Sequence, residues 1–351
     1  MNLFRRTAFI ILLAALFQTA ASAGARTVVD QLHRKVEVPD EVHRAVILQH
    51  QTLDIAVELG ATDKIVGALR SWKQLIPGLA RVAPALNGLP TPGDLTTVNV
   101  EELLTLKPDV VFVTNYAPQA MIQKISSLGI PVVAVSLSED KGVAKPGLNP
   151  KFADDDAAYT AGLAQGVRLI GDVLDRPKQA EELIGYVFAQ RKLVQQHLAG
   201  VKSADRVRLY MANPDLQTYG TGKYTGVIMH RSGGINVAAA AGVRGAAKVS
   251  MEDILKWNPQ VIFVQDRYAP VADEIRKSPA WQAIDAVRSN RIYITPEYVK
   301  PWGYPLPEAM ALGELWMAKK LYPDRFKDID MQAKADAFYT RFYGKPYAGA
   351  N

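Results

Sequence analysis

One arginine and two tyrosines stand out among the side chains that could bind a ligand. Residues 101–118 read EELLTLKPDVVFVTNYAP and residues 252–270 read EDILKWNPQVIFVQDRYAP, so the chain repeats a unit that ends in Tyr-Ala-Pro. Tyr116 closes the first copy and Tyr268 the second, and the copies differ mainly by one extra residue, Arg267. A guanidinium group offers a planar fork of donors that suits a carboxylate, a hydroxamate, a phosphate or another oxyanion. We therefore predict that Arg267 binds the ligand, the alternative being a solvated loop arginine paired with its neighbouring aspartate.

The repeated unit also predicts where the two tyrosines lie. Each copy has the pattern of a helix, a buried strand and a loop, and the copies start about 150 residues apart, roughly one domain length. Loops at the carboxyl ends of strands are where open α/β sheets bind ligands. Two facing lobes would place Tyr116 on one wall of a cleft and Tyr268, beside Arg267, on the other. Their phenol groups could bind a ligand, ligate ferric iron or stack on a planar chelate, or they could pack at the rim.

Three further candidates follow the first two predicted strands. His50 leads into a predicted helix at 53–59, whose amino terminus favours negative charge, and a neutral imidazole there could ligate a metal. Arg70 and Trp72 follow the second strand, where a tryptophan could serve as a stacking platform or a cation–π partner. The alternative for each is an ordinary polar or packing residue at a strand end.

Two loops of the second half supply the remaining candidates. Residues 217–224 read QTYGTGKY, and the two glycines allow close backbone approach to a ligand, with Tyr219 as a contact. This loop lacks the glycine spacing of a dinucleotide or phosphate-loop motif. Residues 297–304 read EYVKPWGY and are rich in aromatic rings. We interpret Trp302 and Tyr304 as cleft aromatics, the alternative being packing on a carboxy-terminal helix.

The order of predicted elements indicates an α/β protein with mostly parallel sheets. Strands and helices alternate from 44 to 135 and again from 207 to 294, with two long helical patterns between them at 154–174 and 177–198. A helix of about 20 residues is ~30 Å long, enough to reach from one lobe to the other. The expected divisions are a signal peptide at 1–23, a first ligand-binding lobe at 24–153, a helical connection at 154–200 and a second ligand-binding lobe at 201–351.

The amino terminus predicts export. Arg5 and Arg6 precede an apolar stretch at 8–17, and Ala21–Ala23 supplies a small-x-small cleavage pattern before Gly24. The chain has no cysteine, which excludes disulfides, thiol chemistry and a lipid-anchored cysteine. Its net charge of +6 falls to +4 without the two leader arginines, and basic residues are interleaved with acidic ones. We expect a Gram-negative periplasmic protein that has no lipid anchor and does not bind nucleic acid.

The sequence contains none of the motifs that would indicate an enzyme. It lacks G-x-S-x-G, HExxH and EF-hand spacing. Three consecutive aspartates at 154–156 could suggest a hard-metal site, but a negatively charged helix start explains them. We expect a binding protein with no intrinsic cofactor.

Several short strings occur in one order along almost the whole mature chain. They are VEVP at 36–39 followed by RAV at 44–46, ELGATDKIVG at 58–67, LKPDVV at 106–111, SGGINVA at 232–238 and WNPQVIFV at 257–264. In this order they resemble the class III periplasmic substrate-binding proteins of ABC importers, which take up ferric siderophores, haem, cobalamin and related metal species. The resemblance implies two Rossmann-like lobes, a single long, rigid helix bridging them, and a ligand in the cleft. It also places the segment at 297–304 near the ligand.

The resemblance further implies the partners, which are an inner-membrane ABC permease and its ATPase. Members of the family dock onto the permease through a surface glutamate on each lobe. The corresponding segments here hold His230 and Arg231 in the second lobe and Ala85–Gly88 in the first, and neither contains an acid. Docking through those salt bridges is therefore not expected, and acids such as Asp94 are candidate substitutes. We expect the protein to act as a monomer.

Two classes of metal-containing ligand compete for the predicted cleft. The main expectation is an iron complex of the ferric siderophore type, with the aromatic rings as platforms and Arg267 as the charge clamp. The alternative is a small oxyanion, molybdate or tungstate, held by Arg267, His50 and backbone N–H groups. The abundance of aromatic residues favours the chelate, while haem, cobalamin and nickel complexes remain open. A different class altogether would be an exported α/β binding or sensory protein with no role in transport.

Overall fold

A computed structural model describes residues 24–139 and 150–349, so the predicted signal peptide lies outside the described residues. The first part of the chain forms β1 (Ala25–Val29), β2 (Lys35–Pro39), β3 (Ala45–Ile47), α1 (His50–Glu58), β4 (Ile65–Ala68), α2 (Trp72–Leu75), α3 (Leu79–Val82), β5 (Gly93–Asp94), β6 (Thr97–Val98), α4 (Val100–Thr105), β7 (Val110–Thr114), α5 (Gln119–Ser126) and β8 (Val132–Val135). Two long helices follow, α6 (Asp155–Val173) and α7 (Pro177–His197). The last part forms β9 (Val207–Ala212), β10 (Gln217–Tyr219), α8 (Tyr224–Arg231), β11 (Gly234–Asn236), α9 (Val237–Ala240), β12 (Ala246–Lys248), α10 (Met251–Trp257), β13 (Val261–Val264), α11 (Pro270–Lys277), α12 (Asp285–Arg288), β14 (Ile292–Ile294), α13 (Glu314–Leu321) and α14 (Met331–Phe342).

Two parallel four-stranded sheets have the same strand order. The first sheet runs β4-β3-β7-β8 and the second β11-β9-β13-β14, so in each lobe the strands lie in the order second, first, third, fourth. The repeated sequence supplies the third strand of both sheets. It pairs with the first strand in each case, Val111 opposite Val46 in one lobe and Ile262 opposite Tyr210 in the other. The prediction of two similar α/β lobes with mostly parallel sheets is confirmed.

The local signals within the repeat explain why both copies fold alike. Asn99 caps α4, and Ser250 forms a reciprocal capping box with Asp253 at the start of α10. After each helix, the residue just before a proline has a left-handed backbone, Lys107 at φ 44° and Asn258 at φ 39°. The strands that follow are runs of β-branched and aromatic residues that are buried throughout, as expected for parallel sheets covered on both faces.

Two predicted helix starts can be compared directly with the structure. Helix α1 begins at His50, three residues earlier than the predicted range of 53–59, so His50 is the first helical residue. Helix α6 begins as predicted from the three aspartates, because the Asp154 carboxylate accepts a hydrogen bond of 3.0 Å from the backbone N–H of Ala157.

The main hydrophobic core passes through both lobes without interruption. It contains Phe112 and Val133 from the first sheet, Met211 and Phe263 from the second, and Tyr159 from α6. Separate clusters cover the outer face of each sheet. Helix α6 packs against α1 of the first lobe and α8 of the second, while α7 packs against α6 and α13. A helical connection thus contacts both halves, and the exact division of the chain into domains stays a prediction.

After β14 the chain returns to the first lobe. Lys300 forms an ion pair of 2.5 Å with Asp54 of α1, and the Tyr343 hydroxyl donates to the same carboxylate at 2.8 Å. Nearer the surface, Arg81 pairs with Glu297 at 2.9 Å. These contacts attach the segment from 297 to 343 to the first lobe. Over the described ranges, no helix combines the length and the apolar character required to cross a membrane.

Candidate ligand-binding site between the lobes

Side chains from both sheets and from the segment after β14 meet between the lobes. The ring centroids of His50 and Trp302 are 5.8 Å apart, and the Arg267 guanidinium lies 5.1 Å from the Trp302 ring centroid. On the same segment, the rings of Tyr304 and Tyr116 are 6.2 Å apart. The structure therefore brings five of the predicted residues into two contacting groups on one segment: His50 and Arg267 lie around Trp302, and Tyr116 lies beside Tyr304.

Arg267 lies in a short turn directly after β13, with one edge of its guanidinium group held and the other available. Its Nε donates to the Gln265 side chain at 2.9 Å, and its guanidinium carbon lies 5.2 Å from the Tyr268 ring centroid. Its side-chain hydrogen bond goes to Gln265 and not to the neighbouring Asp266. Within the described part of the chain, its terminal amino groups meet no hydrogen-bond acceptor, so both can donate to a ligand.

His50 and Trp302 each have a buried nitrogen without a partner. Nδ1 of His50 and Nε1 of Trp302 have no hydrogen-bond partner among the described residues, although the two side chains are only 8% and 4% exposed. Burial, followed by the positive charges of Arg267 and Lys300, lowers the pKa of His50 to about 3, so its imidazole is neutral at pH 7. An unsatisfied buried polar group costs about 1–3 kcal/mol, which a ligand acceptor would recover.

The start of α1 adds to the positive potential at His50. Within the described residues, no side chain caps this helix, because the Gln49 amide instead accepts from the Thr52 hydroxyl at 2.5 Å and donates to the Val135 carbonyl. The amino end of a helix carries a partial positive charge and N–H groups that favour anions. His50 thus presents its side chain from a position that favours a negatively charged ligand.

Lys223 is a cation in this region that the sequence predictions did not single out. Its Nζ lies 5.6 Å from the Tyr304 ring centroid, and burial lowers its pKa to about 8, so it is mostly protonated at pH 7. The absence of a side chain at Gly303 allows this approach, since a Cβ there would lie 3.3 Å from the Lys223 Cδ. A lysine at a helix start, directly after a glycine-rich loop, is the sequence signal that could have identified it.

The two tyrosines of the cleft are neutral phenols at physiological pH. Burial is the main cause that raises the pKa of Tyr116 and that of Tyr304 above the ordinary value. Each O–H group can therefore donate a hydrogen bond. To ligate a metal as phenolate, either tyrosine would first have to lose its proton. Across residues 24–139 and 150–349, no group of three histidine or acidic side chains has an arrangement suited to a metal ion.

The other predicted residues lie in different surroundings. Tyr268 is half-buried, next to Arg267 and against the outer core of the second lobe. Trp72 is 2% exposed and belongs to the main core, Arg70 is exposed, and Tyr219 is half-buried in β10. No aromatic or cation–π contact of the described residues joins these last three to Trp302. Packing accounts for the burial of Trp72, and a ligand role for the three stays a prediction.

Known proteins with similar sequence and structure are periplasmic binding proteins. A family model described as "Periplasmic binding protein" matches residues 46–299. The chain is 52% identical over 327 residues to the molybdate-binding protein MolA of Haemophilus influenzae. The aligned region covers 93% of each chain. A solved structure of that protein bound to molybdate superposes with a TM-score of 0.88 over 93% of this chain and 100% of the other. A periplasmic solute binding protein of Veillonella parvula is 26% identical, with a TM-score of 0.76 over 93% and 94% of the two chains.

These matches cover most of the chain and agree with the fold. The family model spans both sheets, and the half-identical relative extends over nearly the full length. The relatives are named as binding proteins rather than enzymes, and the resemblance to class III substrate-binding proteins is confirmed. The chain therefore belongs to the periplasmic binding protein family.

Proposed function

We propose that this protein captures a tetrahedral oxyanion of the molybdate class in the periplasm and delivers it to the inner-membrane permease of an ABC importer. The observation that carries the proposal is the convergence of donors that lack a protein acceptor. His50 and Trp302 each keep a buried nitrogen unpaired, and both rings lie against each other beside the guanidinium of Arg267. An anion with several oxygens would satisfy all three donors at once.

The charges around the site support an anion in particular. Arg267 and Lys223 supply two positive charges from the second lobe, and the uncapped start of α1 adds partial charge from the first. His50 is neutral and adds no charge; it donates to the anion from Nδ1 in the tautomer that carries the proton on that nitrogen. Short, dense donors suit a small oxyanion, which has no apolar surface of its own to bury.

The burial of the aromatic rings weakens the case for a ferric chelate. The sequence favoured the chelate because many aromatic rings were expected in the cleft. Trp302 and Tyr304 are only 4% and 5% exposed, and their rings contact His50, Tyr116 and cationic side chains. Such rings offer little open surface on which a planar chelate could stack. The half-identical relative is named for molybdate, which also favours the oxyanion over the main expectation.

Isothermal titration of the chain without residues 1–23 tests the proposal. Molybdate, tungstate, sulfate, phosphate and a ferric hydroxamate are each titrated into the wild type, into Arg267→Ala and into Arg288→Ala. Arg288 is a matched control, since its side chain is 60% exposed on α12 of the same lobe. We expect one-to-one molybdate binding that Arg267→Ala abolishes and Arg288→Ala retains. Saturable binding of the chelate alone would contradict the oxyanion proposal.

The transport role needs its own experiment. The loaded protein should stimulate ATP hydrolysis by its permease and ATPase in proteoliposomes, and it should promote uptake of molybdate into them. An exported binding or sensory protein without a transport role would bind the anion yet leave ATP hydrolysis unchanged.

A further inference from the structure

Helix α1 carries a stripe of titratable residues that the sequence predictions did not use. His50, Asp54 and Glu58 are spaced four residues apart, so they lie on one face of the helix. All three are buried, at 8%, 1% and 4% exposure. The same face meets the carboxy-terminal segment at three levels: His50 contacts Trp302, Asp54 pairs with Lys300, and Glu58 accepts from the Tyr343 hydroxyl at 3.3 Å.

Lys300 is the centre of this contact. Its Nζ lies 2.5 Å from a carboxylate oxygen of Asp54 and also pairs with Glu308. The lysine side chain is 5% exposed, and those of the two acids are 1% and 0% exposed. The second oxygen of Asp54 accepts from Tyr343 at 2.8 Å, and Glu308 accepts from the Tyr339 hydroxyl. Charges so far from water interact strongly, and removing one partner leaves an uncompensated buried charge.

The backbone around Lys300 fixes the position of Trp302. Lys300 has φ +37°, in the left-handed region that a residue with a side chain occupies only when its surroundings hold it there. Two residues later, the Trp302 N–H donates back to the Lys300 carbonyl at 2.6 Å. On the opposite side, the Thr225 hydroxyl of α8 donates to the carbonyls of Pro301 and Trp302 at 2.9 and 3.0 Å. Trp302 is thus held between α1 of the first lobe and α8 of the second.

We propose that Lys300 is a positioning residue for the ligand site, whose ion pairs with Asp54 and Glu308 clamp α1 against residues 300–304. The clamp holds His50 and Trp302 in the relative orientation in which both donors reach one anion. Lys300 acts through Trp302, whose ring centroid lies 5.9 Å from its Nζ, and it does not itself bind the ligand. This inference rests on the proposed function, since the clamp is assigned to the same site.

The first test replaces the lysine by an uncharged side chain of similar length. Lys300→Met should weaken molybdate binding at least about tenfold, because one misoriented hydrogen-bonded donor costs about 1.4 kcal/mol or more. Lys64→Met is the matched control, since Lys64 is also buried and pairs with Asp175 at 2.6 Å in the first lobe. We expect the control to lose stability yet keep its affinity. Equal losses of affinity in the two variants would overturn the positioning role.

A charge-balanced double variant separates position from charge. Lys300→Met combined with Asp54→Asn removes one positive and one negative charge, so the net charge near the site stays that of the wild type. It also leaves one buried acid without its lysine, Glu308, where Lys300→Met alone leaves two, so it is expected to fold better than that single variant. If Lys300 acts by positioning, the double variant should still bind molybdate more weakly than the wild type. Recovery of wild-type affinity would show that Lys300 acts only by attracting the anion, and the proposal would be wrong.

A measurement without ligand keeps the two proposals distinguishable. Acrylamide quenching of Trp302 fluorescence is obtained by subtracting the signal of matching Trp302→Phe variants. We expect quenching of Trp302 to increase in Lys300→Met and in the double variant, but not in Lys64→Met. If the wild type does not bind molybdate but Trp302 quenching increases only in the Lys300 variants, the proposed function is wrong and the clamp is supported. Unchanged quenching in all variants would refute the clamp itself.

Discussion

Replacement of His50 by leucine should change the acid stability of the protein in a predictable direction. Burial and the nearby Arg267 and Lys300 charges lower the pKa of His50 from 6.5 to about 3, so the folded state keeps the imidazole neutral while the unfolded chain protonates it. The unfolded state therefore binds more protons between these pH values, and wild-type stability falls as the pH drops from about 6.5 towards 3. The difference between the two values corresponds to about 5 kcal/mol as an order of magnitude.

His50→Leu removes this proton-linked loss and also the unpaired Nδ1. At pH 7 the variant should be as stable as the wild type or more stable, because an unsatisfied buried polar atom costs about 1–3 kcal/mol. Its advantage should then grow as the pH falls to 4. Molybdate binding should weaken by about tenfold or more, since one donor is lost.

Urea denaturation at pH 7.5, 6, 5 and 4 measures this prediction on the ligand-free protein. His43→Leu is the control, because the His43 side chain is 71% exposed and lies outside the cleft region. We expect its stability to follow the wild type at each pH. A difference between His50→Leu and wild type that stays constant from pH 7.5 to 4 would refute the neutral, buried imidazole.

Three further substitutions separate binding from packing. Arg267→Lys should weaken molybdate binding about tenfold in titration calorimetry, because an ammonium group cannot replace the two parallel donors of a guanidinium group. An unchanged affinity would show that Arg267 does not bind the anion through two contacts. Gly303→Ala should weaken binding several-fold by pushing Lys223 away, whereas Gly185→Ala, whose Cβ would meet nothing within 4 Å, should not. Trp72→Ala should lower the free energy of unfolding by about 3–5 kcal/mol in urea denaturation, while the folded protein keeps its affinity for molybdate. A loss of affinity without a loss of stability would show that Trp72 binds the ligand.

The repeated unit was predictable from the sequence because its signals are local. Helix caps, the left-handed residue before each proline and the buried β-branched strand all act within 18 or 19 consecutive residues. Such signals also place Tyr116 and Arg267 at strand ends, which the structure bears out. They do not say which way a strand-end side chain points. Trp72 follows its strand as predicted, yet it turns into the core as the first residue of α2.

The clamp under the site was not predictable because its partners are distant in the chain. Lys300 and Asp54 are separated by 246 residues, and nothing in the segment at 297–304 that contains Lys300 indicates a partner in α1. The spacing of His50, Asp54 and Glu58 was visible, but four-residue spacing of polar groups is also what an exposed helix face shows. The preference for a ferric chelate over an oxyanion, which the half-identical relative does not support, arose for a related reason. Counting aromatic rings near the cleft does not reveal that Trp302 and Tyr304 are almost fully buried.

The unbroken core limits how far the two lobes can swing apart. Its members come from both sheets and from α6 and α7, so a large rotation would expose apolar surface to water. At about 25 cal/mol per Å², exposing roughly 200 Å² costs about 5 kcal/mol, more than half of what a micromolar ligand supplies. Empty and loaded protein should then have nearly the same outline in solution. A permease that distinguishes them would then have to recognise local differences in the surface around the cleft rather than the overall shape.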